Sequence, residues 1–260
     1  MNKHLRLFLT ELWLPVLLLV AWWSLSANST SLYFPALRTI SEAFAADWLF
    51  DHIGIDLLPS LGRLAVGYLT AVVIGVILGV FLGLNRAAEE TVQPLLEFVR
   101  ATPGIAILPV AMIFLGTGTT MKVVMIAFVA FWPVLLNTIE GVRSVEPVLL
   151  DVSASYRLDR TTRLTHVILP AAAPQIFAGA RTAIAIGVVV MVVTEMVGTP
   201  GGLGYYILSS QRSFDLAEMW AGIIVLGLVG YLINQLFRLF EGYVLRWHHG
   251  MVAHAKGGTS

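Results

Sequence analysis

The 260 residues are 57% apolar and only 12% charged, with a formal net charge of zero and no cysteine. A soluble domain carries about 25% charged residues, so a chain this poor in charge belongs in a bilayer, where every backbone group is paired within helices or a closed barrel. Zero net charge gives no reason to expect nucleic acid as a partner, and the missing thiol excludes disulfides, thiolate nucleophiles, Cys-ligated zinc and iron–sulfur clusters.

The apolar runs are continuous rather than alternating, which selects helices over a barrel. A crossing needs about 20 apolar residues, and that ruler predicts an all-α integral membrane domain over residues 1–260 with about six transmembrane helices. They fall near 8–26, 61–84, 100–116, 121–139, 175–197 and 218–240. Glu11 and Pro15 interrupt the first, and Lys3, Arg6 and the stretch Ser24 to Ala27 also fit a cleavable signal peptide. Trp22 and Trp23 suit an aromatic belt better than a cleavage site. In the second, Gly75, Gly79 and Gly83 make two successive G-x-x-x-G steps, which let another backbone approach closely. Pro103 and Pro109 in the third and Pro133 in the fourth bend helices and free carbonyls, which serves either a pathway or a better-packed kink. Thr70, Asn137 and Thr194 are polar points for a pathway, although such residues more often bond to neighbouring helices.

Lys and Arg set the orientation. With the N-terminus inside, the inner set contains Lys3, Arg6, Arg86, Arg100, Arg143, Arg157, Arg160, Arg163, Arg181, Arg238, Arg246 and Lys256. The outer set is Arg38, Arg63, Lys122 and Arg212, so the positive-inside rule puts both termini in the cytoplasm. Segments 27–60 and 198–217 then face outward, and 140–174 is a long cytoplasmic loop. Glu195 lies roughly 30 Å along a fifth helix that starts near Pro174, at about 1.5 Å per residue, close to the outer boundary. It reads either as a partly hydrated interfacial acid or as a gate or inter-helix clamp beside the mobile Gly198 to Gly204 backbone, with Arg63, Lys122 or Arg212 as cationic partners.

The loop 140–174 has a helical pattern of its own. Pro147 suits a first helical position, Asp159 an N-cap, and Pro170 should stop the second helix. Two short helices meeting at a corner are predicted, with Leu149, Leu150, Val152, Ser153 and Tyr156 as an apolar face bordered by Arg157, Arg160 and Arg163. From these residues alone, a docking hairpin and an amphipathic hairpin lying on headgroups both remain open.

The run Asp151-Val152-Ser153, Arg157, then Val167-Ile168-Leu169-Pro170 resembles the cytoplasmic coupling loop of bacterial ABC importer permeases. That motif reads Glu-Ala-Ala, three residues, Gly, about nine residues, then Ile-x-Leu-Pro. Arg157 stands at the glycine position, and since Arg takes left-handed dihedrals less cheaply than Gly, a differently shaped corner is expected. The stretches from Pro59 to Tyr68, Arg100 to Pro103 with Leu108-Pro109, Glu195 to Tyr205, and Phe240-Glu241 to Arg246-Trp247 resemble the sulfonate/nitrate/taurine group of these permeases. The resemblance covers residues 34–247.

It implies a type I importer fold in a bacterial inner membrane, a second copy of the permease, two cytoplasmic ATPase subunits and an extracytoplasmic solute-binding protein. It also implies that Asp151, Val152, Ser153, Ala154, Arg157, Leu158 and Pro170 couple to the ATPase and that ATP and magnesium belong to the partner chain, while Glu195, Thr194 and Asn137 are gate or pathway candidates by residue type and position. An ATPase site here would need G-x-x-x-x-G-K-[ST], and Gly116 to Lys122 fails it because Met121 replaces the glycine and Val123 the hydroxyl. His4, His52, His166, His248, His249 and His254 all fall outside the spans, and no H-E-x-x-H or G-x-S-x-G occurs. No catalytic residue, metal site or cofactor is expected in this chain.

Overall fold

The computed structural model describes residues 3–29, 31–48, 51–198 and 200–247, so His248, His249, His254, Lys256 and Ser260 lie outside the described residues. All regular elements among the described residues are helical: α1 Lys3–Ser26, α2 Leu37–Trp48, α3 Ile53–Leu84, α4 Arg86–Ala101, α5 Gly104–Leu115, α6 Thr119–Arg143, α7 Pro147–Ser155, α8 Arg160–Val197, α9 Leu203–Arg212 and α10 Leu216–Val244. Contacts divide the chain into two compact units, Met1–Pro59 with Gly201–Gly227, and Ser60–Pro200 with Leu228–Ser260.

Helices α3, α6, α8 and α10 are each long and apolar enough to cross a membrane. The expected span 8–26 falls within α1, whose described apolar part is Val16–Ser26. The expected span 100–116 is not one helix. α4 ends at Ala101, Thr102 and Pro103 turn extended, and α5 leaves at 84° after an opening 3₁₀ turn over Gly104–Ile107. The reason is chemical: Pro103 pushes Thr102 out of helical dihedrals and offers no N–H to continue the ladder.

A Leu-Pro pair recurs inside α3, α5 and α8, and each time a non-α turn comes before it. Leu58-Pro59 follows a π turn over Ile53–Leu57, Leu108-Pro109 follows the 3₁₀ turn of α5, and Leu169-Pro170 follows a π turn over Leu164–Ile168. The shifted hydrogen-bond register of the π turn absorbs the missing proline N–H. Pro170 therefore does not stop a helix as expected; it lies inside the continuous α8, and the predicted 35-residue loop shrinks to the α6–α8 connection that carries α7.

The core of the second unit is α6. Met121, Met125, Ile126, Ala130, Val134 and Leu135 are all at most 2% exposed. α3 runs parallel to α6 along a stripe of glycines. A Cβ at Gly67 would stand 2.8 Å from Ile126 Cβ, at Gly75 2.9 Å from Val134 Cβ, at Gly79 2.5 Å from Thr138 Cβ, and at Gly83 2.8 Å from Val142 Cβ. The partners step as the glycines step, so the G-x-x-x-G rows carry the close approach that apolar surface alone would not drive in lipid. α8 packs antiparallel on α6, with Gly179 against Asn137 and Pro133, and Gly141 against Ala172 and Gln175.

In the first unit, α2, the start of α3 and α9 bury Trp48 at 3% exposure beneath Tyr206 and His52. Trp220 packs edge-on against Trp22 and tilted against Phe34, and donates its Nε1–H to the Tyr33 carbonyl at 3.1 Å.

Candidate functional site

Parallel α3 and α6 and antiparallel α8 bring three helix ends together at one end of the second unit. Glu195, in the last turn of α8, is 0% exposed. Ser60 donates its hydroxyl within reach of both carboxylate oxygens, at 2.8 and 2.9 Å, and Arg63 Nη1 donates to Oε1 at 2.7 Å. Lys122, 1% exposed in the first turn of α6, faces the charges of both Glu195 and Arg63. A Cβ at Gly198 would come 2.6 Å from Lys122 Cε, so only a hydrogen there leaves room for the lysine stem.

The Glu195 carboxylate is buried and bonded to two residues of α3. Thr194 is 1% exposed, and its hydroxyl bonds back to the Met191 carbonyl at 2.9 Å. Such a cluster is costly to open, because separating one partner leaves an uncompensated buried charge. Arg63 and Lys122 were legible as partners from charge alone. Ser60 was missed, and its signal is the i,i+3 spacing from Arg63 at the start of α3.

Asn137 lies deeper along α6. Its Oδ1 accepts from Gln175 Nε2 of α8 at 3.0 Å, and its Nδ2 donates to the Pro133 carbonyl at 2.8 Å. The amide thus ties α6 to α8. Thr70 is exposed and bonds to its own helix at Val66. Arg181 of α8 pairs with Glu241 of α10, and Arg143 of α6 with Glu89 of α4. Neither pair is visible in sequence spacing.

The opposite end carries α7. Pro147 occupies its first turn. Leu150 packs against Val142, Val145, Ile168 and Ala172, and Ser153 is 2% exposed with its hydroxyl on the Leu150 carbonyl at 2.6 Å. Val148, Leu149, Val152, Tyr156 and Leu158 are exposed, as are Asp151, Ala154 and Arg157. The sequence-predicted apolar face is therefore split, with Leu150 and Ser153 inward and Leu149, Val152 and Tyr156 outward. α7 ends in a Schellman motif: Leu158 N–H bonds to the Ser153 carbonyl at 3.1 Å and Arg157 N–H to the Ala154 carbonyl at 2.9 Å. Arg157 sits at φ 52°. The expected change of corner shape did not occur; arginine adopts the left-handed conformation that glycine would take at the motif's C′ position. Asp159 then caps α8, accepting from the Thr161 and Thr162 N–H groups at 3.1 Å each. Thr162, through its side chain first and its backbone second, holds the Asp159 carboxyl below the usual carboxylate range.

The first unit holds a second polar cluster that sequence reasoning did not single out. His52 Nδ1 lies 2.6 Å from Asp56 Oδ2, and Asp56 Oδ1 accepts from the Gly202 N–H at 2.8 Å, where Gly202 is at φ 109°. Tyr206 donates to Asp47 at 2.5 Å, and burial followed by that hydrogen bond pushes its phenol up. Among the described residues no group of three or more His, Asp or Glu is placed to hold a metal ion.

The sequence profile of the family described as "Binding-protein-dependent transport system inner membrane component" matches residues 71–247. SsuC of Bacillus subtilis (strain 168), named as an aliphatic sulfonates transport permease protein, is 32% identical over 211 residues, covering 81% of this chain and 75% of its own. The taurine transport system permease protein TauC of Escherichia coli (strain K12) is 28% identical over 242 residues, covering 89% of this chain and 86% of its own. An inward-facing structure of the MetNI methionine ABC transporter superposes with a TM-score of 0.65 at 20% identity, over 73% of this chain and 94% of that one. At that identity the likeness speaks for the fold.

Proposed function

This chain belongs to the family of binding-protein-dependent transport system inner membrane components, of sulfonate/nitrate/taurine type, and on that premise we propose that it carries a small anion such as a sulfonate, taurine or nitrate inward. It is a permease subunit of an ABC importer with the type I fold. The ATP is hydrolysed by a separate chain, which docks on residues 151–158 at the cytoplasmic surface. Two such ATPase subunits, a second copy of the permease and an extracytoplasmic binding protein complete the importer, in a bacterial inner membrane with both termini in the cytoplasm.

The observation that carries this reading is the outward face of α7. Its small and apolar residues Val148, Leu149, Val152 and Ala154 stand exposed on a helix anchored from behind by Leu150 and Ser153. Closure of the ATPases would push on that helix, and α7 would pass the displacement to the ends of α6 and α8. At the other end, the Ser60, Arg63, Lys122 and Glu195 cluster is proposed as the gate that such a displacement works against. Glu195 is saturated by protein donors and would repel an anion, so it holds helices rather than solute.

Purification of the chain from its native host should bring an ATPase with it, and reconstituted vesicles should accumulate taurine or nitrate when ATP and the binding protein are supplied. Ala154→Asp should abolish transport-coupled hydrolysis with membrane insertion intact, because a charge enters a small apolar contact. Full uptake by a normally expressed Ala154→Asp chain rules out this docking face.

A further inference from the structure

α3 and α6 run parallel and end at one level, since a Cβ at Gly83 would stand 2.8 Å from Val142 Cβ. Together with α7 and the start of α8, these ends enclose a cavity of about 540 Å³. That volume is within the range of ligand pockets, about 300–1,000 Å³. Its floor is apolar: Val142, Val145 and Ile168 are buried, with Leu150 of α7 and Leu164 of α8 packed against them.

The polar part of the lining is all of one sign. Arg143, Arg160 and Arg163 line the cavity and no acidic residue does. Arg143 is already paired with Glu89. The side chains of Arg160 and Arg163 have no ion pair and no hydrogen bond among the described residues. Asp159, their nearest acid in sequence, spends its carboxylate on capping the Thr161 and Thr162 N–H groups. Arg163 is half-buried with its Nε beneath the surface, so its stem is held and only the outer Nη groups can meet a ligand. Arg160 is exposed. Two uncompensated guanidiniums beside an apolar floor suit an occupant that brings negative charge and hydrocarbon together.

Position selects its class. α3 and α6 are each long and apolar enough to cross a membrane, and the cavity lies where both end, at headgroup level. Ile77, Phe81 and Leu84 recur at i, i+4 and i+7 and are exposed, so one apolar face of α3 leads from the cavity toward the bilayer interior. Basic pockets between membrane helices bind the headgroups of anionic lipids. A soluble phosphate would leave the floor and that face uncovered, and a zwitterionic headgroup would bring its own cation among the arginines.

We infer that this cavity holds the headgroup of an anionic phospholipid, whose phosphate accepts from Arg160 and Arg163 while an acyl chain lies along Leu84, Phe81 and Ile77. The inference needs this end of the bundle to lie at a membrane surface and is independent of the solute carried.

The test is native mass spectrometry of the purified chain in detergent, with any ATPase that accompanies it, titrated with dioleoyl phosphatidylglycerol, dioleoyl phosphatidylcholine or inorganic phosphate. The first phosphatidylglycerol should bind roughly tenfold more tightly than phosphatidylcholine, because only the former adds net negative charge to the charge-assisted hydrogen bonds. Arg160→Gln and Arg163→Gln should each weaken it by roughly tenfold, the loss expected for a hydrogen bond to a charged group. Arg160→Lys should retain most of the binding, and Arg238→Gln, exposed on α10, all of it. Arg160 is exposed, so Arg160→Gln decides the matter if Arg163→Gln fails to fold. Unchanged affinity in Arg160→Gln overturns the site, and so does an equal loss in Arg238→Gln, which would mark attraction to surface charge at large. Equal affinity for phosphatidylcholine overturns the anionic assignment. Inorganic phosphate that binds as tightly as phosphatidylglycerol overturns the lipid assignment in favour of a soluble anion. Lipid binding that disappears whenever an ATPase is bound assigns the arginines to the docking interface and likewise overturns the site.

Discussion

Glu195→Gln separates charge from shape at the end of the bundle. The amide keeps an oxygen for Ser60 and Arg63, which now stand at 2.7–2.9 Å from the carboxylate, but it removes the negative charge between Arg63 and Lys122. Replacing charge-assisted hydrogen bonds by neutral ones at a site 0% exposed should cost about 1.5–3 kcal/mol. Glu195→Ala, which leaves Arg63 and Lys122 facing each other, should cost about 3–5 kcal/mol. For a chain of this size each kcal/mol lowers the melting temperature by about 2–4 °C, so the Gln variant should melt several degrees below the parent. In a double-mutant cycle, Arg63→Gln and Glu195→Gln should couple by about 0.5–3 kcal/mol, since each alone strands the other's charge. The same Gln variant, in complex with its ATPase, should transport slowly, hydrolyse ATP without waiting for the binding protein, and keep its solute preference. A melting point within a degree of the parent, strictly additive mutations, or normal coupled transport would each refute the clamp. A changed solute preference would put Glu195 in the pathway instead.

At the α3–α6 contact, Gly79→Ala should destabilise by about 1–3 kcal/mol, because its Cβ would meet Thr138 Cβ at 2.5 Å and the Leu135 carbonyl at 3.0 Å. Gly62→Ala, with nothing within 4 Å, should leave the melting temperature unchanged or slightly raised; equal effects at the two glycines would show that the stripe is not a packing seam. Arg157→Gly should stabilise the α7 corner by about 1 kcal/mol by relieving a left-handed arginine, and Arg157→Val should destabilise it. Amide exchange at Leu158 reads both, and faster exchange in the Gly variant would contradict the strain. A single cysteine at Ser155, exposed on α7, or at Ser260 should react only with reagent that reaches the cytoplasm, and one at Asp51 only from outside. The reverse pattern would overturn the orientation taken from the positive residues.

Much of this protein could be read from local chemistry. Scarcity of charge and continuous apolar runs established an all-helical membrane chain. The i,i+4 glycines of α3 named a contact stripe, because a helix repeats its face every three to four residues whatever it packs against. Pro147 and Asp159 marked helix starts because their effects reach only one turn. The run from Asp151 to Pro170 showed a helical pattern of its own but left a docking hairpin and a headgroup hairpin both open, and only its resemblance to a permease motif favoured the first.

What the sequence did not decide depends on how distant helices are registered. Ser60 meets Glu195 only because α3 and α8 both pack on α6 with their relevant ends at one level, and no spacing within either helix contains that alignment. Glu89 likewise meets Arg143 only because α4 lies antiparallel on α6, whereas hydropathy places residues by their neighbours in sequence. Pro170 should have ended a helix by its own chemistry, yet the π turn before it rearranged the hydrogen bonds of five residues and let α8 continue. Local preferences select the helices; burial of charged and small residues against one another selects which end of each helix meets which, and that is a property of the packed bundle.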